Sequence, residues 1–186
     1  MLIIPGILAS SYPVATTSYE SIATVTVGAG GSSSISFTSI PSTYKHLQIR
    51  AIARDTTAAP NISIIRYNLN GDTSANYSAH FLRGNGSSAD ALGYSSQTYS
   101  WLYYFPYNSV TSNVMGALIL DIHDYASTTK NKTIRALSGT DANGDGGIAL
   151  NSGLWLSTNA VNSITFTANG TAFTSSTTFA LYGIKG

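Results

Sequence analysis

The chain has 186 residues, with nine Lys and Arg against eight Asp and Glu, so 9% is charged where an ordinary soluble domain carries roughly 25%. It has no cysteine, which excludes disulfides, zinc–thiolate centres and thiol nucleophiles. The net charge is +1 and the basic residues are scattered, so the cationic stripe that nucleic acid needs is missing; no run approaches the roughly 18 apolar residues of a membrane span.

Ser, Thr, Asn and Gly stand in place of charge. Such a surface solvates well but carries little field, and it suits a protein that packs against neighbours or binds neutral polar ligands. In chain order, the first segment is apolar: Leu2-Ile-Ile-Pro-Gly-Ile-Leu-Ala9. It lacks the basic flank of a secretion signal, and Pro5-Gly6 breaks it. Leu2, Ile3, Ile4, Ile7 and Leu8 are expected to dock, either on a partner or on the chain's own domain. Residues 1–18 are expected to form an arm ahead of one domain at 19–186.

From Tyr19 onward, short runs rich in Val, Ile, Thr, Phe and Tyr alternate with Gly, Asn, Ser and Pro. They are Tyr19–Val27, Ser33–Thr38, Lys45–Arg54, Asn61–Asn70, Tyr77–Arg83, Thr98–Tyr104, Val114–His123, Lys132–Thr140, Gly147–Leu156, Asn162–Thr167 and Thr177–Lys185. The spacing predicts an all-β chain, an antiparallel sandwich of about ten strands. In the third run Leu47, Ile49, Ala51 and Ala53 share one face, and His46, Gln48, Arg50 and Ile52 the other. Val114–Ile122 is continuously apolar, which predicts a central strand covered on both faces, with a neighbouring subunit as one candidate cover. Asn70-Gly71 and Asn143-Gly144 predict type I′ turns.

Candidate chemistry is sparse. Asp121, His123 and Asp124 lie close in sequence, but three residues apart on a strand puts the two acids on opposite faces. No Gly-x-Ser-x-Gly elbow and no short His spacing accompany them. No catalytic residue and no cofactor is therefore expected. Asp141, Asn143 and Asp145 match the first half of a calcium loop, but Ser152 stands where the bidentate acid belongs. The competing reading is a hairpin tip whose side chains bond their own backbone. The aromatic run Tyr99–Tyr107 is more distinctive: on a strand, Tyr99, Trp101, Tyr103 and Phe105 share a face. That face could serve as core and subunit interface, or as a platform on which sugars stack.

Several segments resemble small β-structured proteins and fibre-terminal domains of tailed bacteriophages. They are Tyr19-Glu-Ser-Ile-Ala-Thr-Val-Thr-Val-Gly28, Ser39-Ile-Pro-Ser-Thr-Tyr-Lys-His-Leu-Gln-Ile-Arg50, Asn70-Gly-Asp-Thr-Ser-Ala-Asn-Tyr-Ser78, Leu120-Asp-Ile-His-Asp-Tyr-Ala126 and Thr178-Phe-Ala-Leu-Tyr-Gly-Ile-Lys185. The resemblance implies a jelly-roll-like virion protein, oligomeric and expected as a homotrimer, whose partners are other capsid or tail proteins. It identifies a scaffold and carries no catalytic motif. Two roles follow: a capsid decoration (cement) protein, or a tail-fibre module that binds host surface glycans. No shaft precedes Tyr19, which favours decoration.

Overall fold

A computed structural model describes residues 18–58 and 63–186. These residues form twelve strands and no helix. The strands are β1 (Tyr19–Thr26), β2 (Ser34–Phe37), β3 (His46–Ala53), β4 (Ser63–Leu69), β5 (Tyr77–Gly84), β6 (Ala89–Gln97), β7 (Ser100–Phe105), β8 (Gly116–His123), β9 (Lys132–Asp141), β10 (Gly146–Trp155), β11 (Ile164–Ala168) and β12 (Thr178–Ile184). All pair antiparallel, in one sheet of order β1-β12-β3-β8-β9-β10-β5-β6 and another of order β2-β11-β4-β7.

The connectivity is that of a jelly roll. The chain folds as a long hairpin whose arms pair β1 with β12, β2 with β11, β3 with β8 and β4 with β7. Rolling that hairpin brings β12 beside β3 and β11 beside β4, which gives the two four-stranded layers of the fold. Two further hairpins, β5–β6 and β9–β10, are inserted between strands of this framework. They extend only the first layer, so that sheet reaches eight strands. The sandwich core lies between the layers, with Leu47, Ile49, Leu120 and Phe179 from one and Ile65, Tyr67 and Phe166 from the other almost wholly buried. Phe166 and Phe179 meet across the layers with ring centroids 4.7 Å apart.

Eleven of the strands fall on the predicted runs, and β6 does not. Its sequence, Ala-Asp-Ala-Leu-Gly-Tyr-Ser-Ser-Gln, holds no β-branched residue, and it sits at an exposed sheet edge. Such a strand is set by its partner β5 and not by its own propensity. The run Val114–Ile122 gives the central strand β8 as expected, and its residues alternate buried and exposed, so its second face is not covered within the single chain.

The turns follow the predicted chemistry. Asn70 and Gly71 have φ of 53° and 66°, and Asn143 and Gly144 have 65° and 101°, as a type I′ turn requires. Only the second closes a hairpin between neighbours, β9 and β10. The first carries the chain from one sheet to the other, because β4 and β5 belong to different layers.

Strand β7 is the edge of the smaller sheet, and it crosses the inner face of β9 and β10. Its outward carbonyls need donors there. Asn151 Nδ2 donates to the Trp101 carbonyl at 3.2 Å, and Ser138 Oγ donates to the Tyr103 carbonyl at 2.8 Å. These bonds account for two polar side chains buried in the larger sheet. Tyr104, at φ 62°, lays its ring over Gly147, where any Cβ would overlap it. Gly147→Val should therefore cost about 2–3 kcal/mol in urea unfolding, and adding Tyr104→Ala should recover part of that loss.

Candidate functional site

The aromatic strand is part core and part rim. Tyr99, Trp101 and Tyr103 point to the satellite cluster formed with Ala79, Phe81 and Leu92. Phe105 does not share their face. Ile65 pairs with Leu102 but Ser63 pairs with Phe105, so β7 holds one extra residue. This bulge, at the left-handed Tyr104, turns Leu102 and Phe105 together into the main core. Trp101 is itself buried: its indole lies nearly parallel to Phe81 at 6.0 Å and edge-on to Tyr94 at 4.5 Å. Tyr103 is half-buried, with the Arg83 guanidinium 4.5 Å from its ring centre.

The carboxylates are all engaged in local bonds. Asp55 accepts the backbone N–H groups of Thr57 and Asn169. Asp90 binds Arg83, and Glu20 binds Tyr44 and Lys185, contacts that hold both acids below the ordinary carboxylate range. Asp121 accepts from Gln48 Nε2 at 2.8 Å. Asp124 is held well below the usual range by Lys130, at 2.7 Å, and then Lys45, at 2.9 Å. The Asp124 N–H donates to His46 Nδ1, and the rings of His46 and His123 meet edge to face at 5.2 Å. Burial and the neighbouring His123 push the His46 pKa down.

The Asp141 loop is the tip of the β9–β10 hairpin. Asp141 Oδ1 accepts the N–H groups of Asn143 and Gly144, and Asp145 Oδ1 that of Gly146. Asp145 Oδ2 also accepts from Tyr107 at 3.3 Å. Two of the loop's acid oxygens therefore serve its own backbone. Among the described residues no group of three His, Asp or Glu is arranged to hold a metal ion. Leu2, Ile3, Ile4, Ile7 and Leu8 lie outside the described residues.

Two cations are held in an unusual way. Arg54 donates to the carbonyls of Asn108, Val110, Thr111 and Val114, which fixes the loop between β7 and β8. Lys132, fully buried, donates to the carbonyls of Ser127, Lys130, Ser157 and Thr158. Burial lowers its pKa.

The most conspicuous feature is one that sequence reasoning missed. Ile52, Leu82, Ile119, Leu137, Ile148 and Leu150 are each 43–58% exposed. All six lie on the outer face of the eight-stranded sheet. The register aligns them in rows across it. One row runs Arg50–Ile119–Leu137–Leu150–Leu82–Ala91. The next runs Ile52–Ala117–Gly139–Ile148–Gly84–Ala89. Residues without bulk, Ala117 and Gly139, leave a dip between Ile52 and Ile148, part of a shallow groove of about 850 Å³. On the other side of the first row lies a polar one, Gln48–Asp121–Arg135–Ser152–His80. A contiguous apolar patch on an otherwise polar surface marks an interaction site more often than chance exposure does. The available signal was apolar residues at both parities of one run, as in Ala51-Ile52 and Ala136-Leu137.

No family model, curated protein or solved structure matches the chain.

Proposed function

We propose that the protein is a non-enzymatic structural protein of a tailed-bacteriophage virion, a decoration (cement) protein that clasps the particle surface. The observation that carries this reading is the outer sheet face: a broad patch of six exposed aliphatic side chains on paired strands, edged by Arg50, Asp121 and Arg135. Such a face suits a permanent contact, because obligate interfaces are more apolar than transient ones. Jelly rolls serve in viral capsids and in lectins alike, so the fold leaves the role to the site. Each carboxylate serves a nearby structural bond, which supports a scaffold over acid–base chemistry.

Glycan binding at a fibre tip is the competing role, and the aromatic strand gives it less support than its sequence suggests. The Trp101 indole is sandwiched among Phe81, Tyr94 and Tyr99 and offers no open face for a sugar ring to stack on.

Cryo-electron microscopy of the particles that carry this chain, with mass spectrometry of the same particles, tests the proposal. The expected result is regular density for the sandwich on the capsid shell. Density confined to fibre tips would overturn the decoration role, and absence of the chain from purified particles would overturn the virion assignment.

A further inference from the structure

The outer face carries more than hydrophobicity: its rows are self-complementary. We infer that this face pairs with the same face of a second copy, about a two-fold axis that runs along the strands between β8 and β9. The inference goes beyond the virion role and stands on the register alone.

The reasoning begins with the polar row. Asp121 and Arg135 are directly opposite one another on β8 and β9, on the outer face. Asp121 is bonded to Gln48, and among the described residues Arg135 has no ion-pair partner. An isologous contact places each residue's image across the axis. With the axis between β8 and β9, Asp121 of each copy faces Arg135 of the other. The same operation sets Ile119 against Leu137, and Ile52 against Ile148, each pair occurring twice.

Other placements are worse on charge. An axis along β8 alone would set Asp121 against its own image, and an axis along β9 would do the same to Arg135. Either puts like charges together, which is destabilising. An in-plane axis at right angles to the strands would reverse the rows. It would then lay the charged row over the apolar one and desolvate both ions. Of these placements only the axis between β8 and β9 sets Asp121 against Arg135; it also brings Arg50 over Leu150 of the other copy, where its methylene stem can lie on the apolar row while the guanidinium reaches the edge.

The area is sufficient. At 43–58% exposure the six aliphatic residues leave on the order of 550 Å² of surface, within the range of the largest patch on an ordinary monomer. With the rim formed by Arg50, Asp121, Arg135 and Ser152 the face approaches the roughly 800 Å² per partner of a stable interface. It has the expected anatomy, an apolar centre with a polar edge.

Sedimentation analysis of the full chain across a concentration series is the test. The expected mass is twice the 19.5 kDa of one chain. Leu137→Asp should reduce it to one chain that keeps the far-ultraviolet and near-ultraviolet spectra of the folded sandwich, because Leu137 is solvent-facing within the fold. Asp121→Arg and Arg135→Asp should each weaken pairing by at least tenfold. The double exchange should restore it, a readout that no general surface effect reproduces. A single-chain mass at every concentration up to about 1 mM would overturn the inference, whether the chain's own residues 1–17 or another virion protein covers the face. A trimeric mass, or a double exchange no better than either single one, would overturn it equally. The virion role fails by a different measurement: a dimer that is absent from purified particles keeps this inference and removes that role.

Discussion

Lys132→Met should lower the free energy of unfolding by about 3 kcal/mol, measured by denaturant titration at neutral pH. Methionine keeps most of the apolar stem, so the change isolates the ammonium group. In the native fold that group is fully buried and donates to four carbonyls, the two shortest bonds being 2.7 Å to Lys130 and 2.8 Å to Ser127. The remaining two, Ser157 and Thr158, belong to the segment after β10. One side chain thus clips two loops at the same end of the sandwich. Charge-assisted bonds are stronger than neutral ones, and carbonyls left without a donor in a packed site cost more than the bond itself was worth. Burial opposes the ammonium, as its lowered pKa shows, so the net effect is smaller than the bond count suggests. Amide exchange in residues 124–131 and 156–159 should accelerate together. A loss below about 0.5 kcal/mol would mean that water replaces the ammonium freely and that the clip contributes little.

Asp72→Ala should cost about 2–3 kcal/mol, because this carboxylate organises the turn that leads from one sheet to the other. Its Oδ2 accepts from Trp155 Nε1 at 2.7 Å and from Asn76 Nδ2 at 2.9 Å, and its Oδ1 accepts the Ser74 N–H at 2.8 Å. Trp155 is 1% exposed, so removing its acceptor strands a buried indole N–H. These bonds, that of Asn76 first and that of Trp155 second, hold the Asp72 pKa down to about 2. The sign follows from linkage. An unfolded Asp titrates near ~3.9, so the folded state binds fewer protons between those values, and the stabilisation is complete above the unfolded pKa. It is lost as pH falls from about 4 through about 2. Allowing for partial solvent exposure, this one group contributes about 1.5 kcal/mol to the acid limb. Asp72→Asn should flatten that limb without removing it, since Glu20, Asp90 and Asp124 are also lowered. An unchanged acid limb in Asp72→Asn would contradict the assignment.

The sequence made the architecture legible because buried strands carry their own signal. Val, Ile and aromatic residues alternate with polar ones in β3 and β11, and Gly and Asn sit where positive φ is required. It did not reveal β6, whose composition is that of a loop and whose extension depends on pairing with β5. Nor did it reveal the fate of Phe105. A single bulge reverses the parity of a strand, and residue types do not mark where one occurs. The outer face was hidden for a related reason. Ile119 in a continuous apolar run reads as doubly covered, and Leu82 and Leu150 read as ordinary strand residues. Only the register shows that they line up across five strands.

The central claim is that the molecule makes its contacts through this face. On the proposed virion role, hydroxyl-radical footprinting of the chain diluted to single chains, compared with the chain in purified particles, measures that directly. Leu82, Ile119, Leu137, Ile148 and Leu150 should become protected on the particle, while Tyr99 and Tyr103 at the opposite layer keep their reactivity. Protection of the tyrosines with the five aliphatic residues still fully labelled would contradict the account.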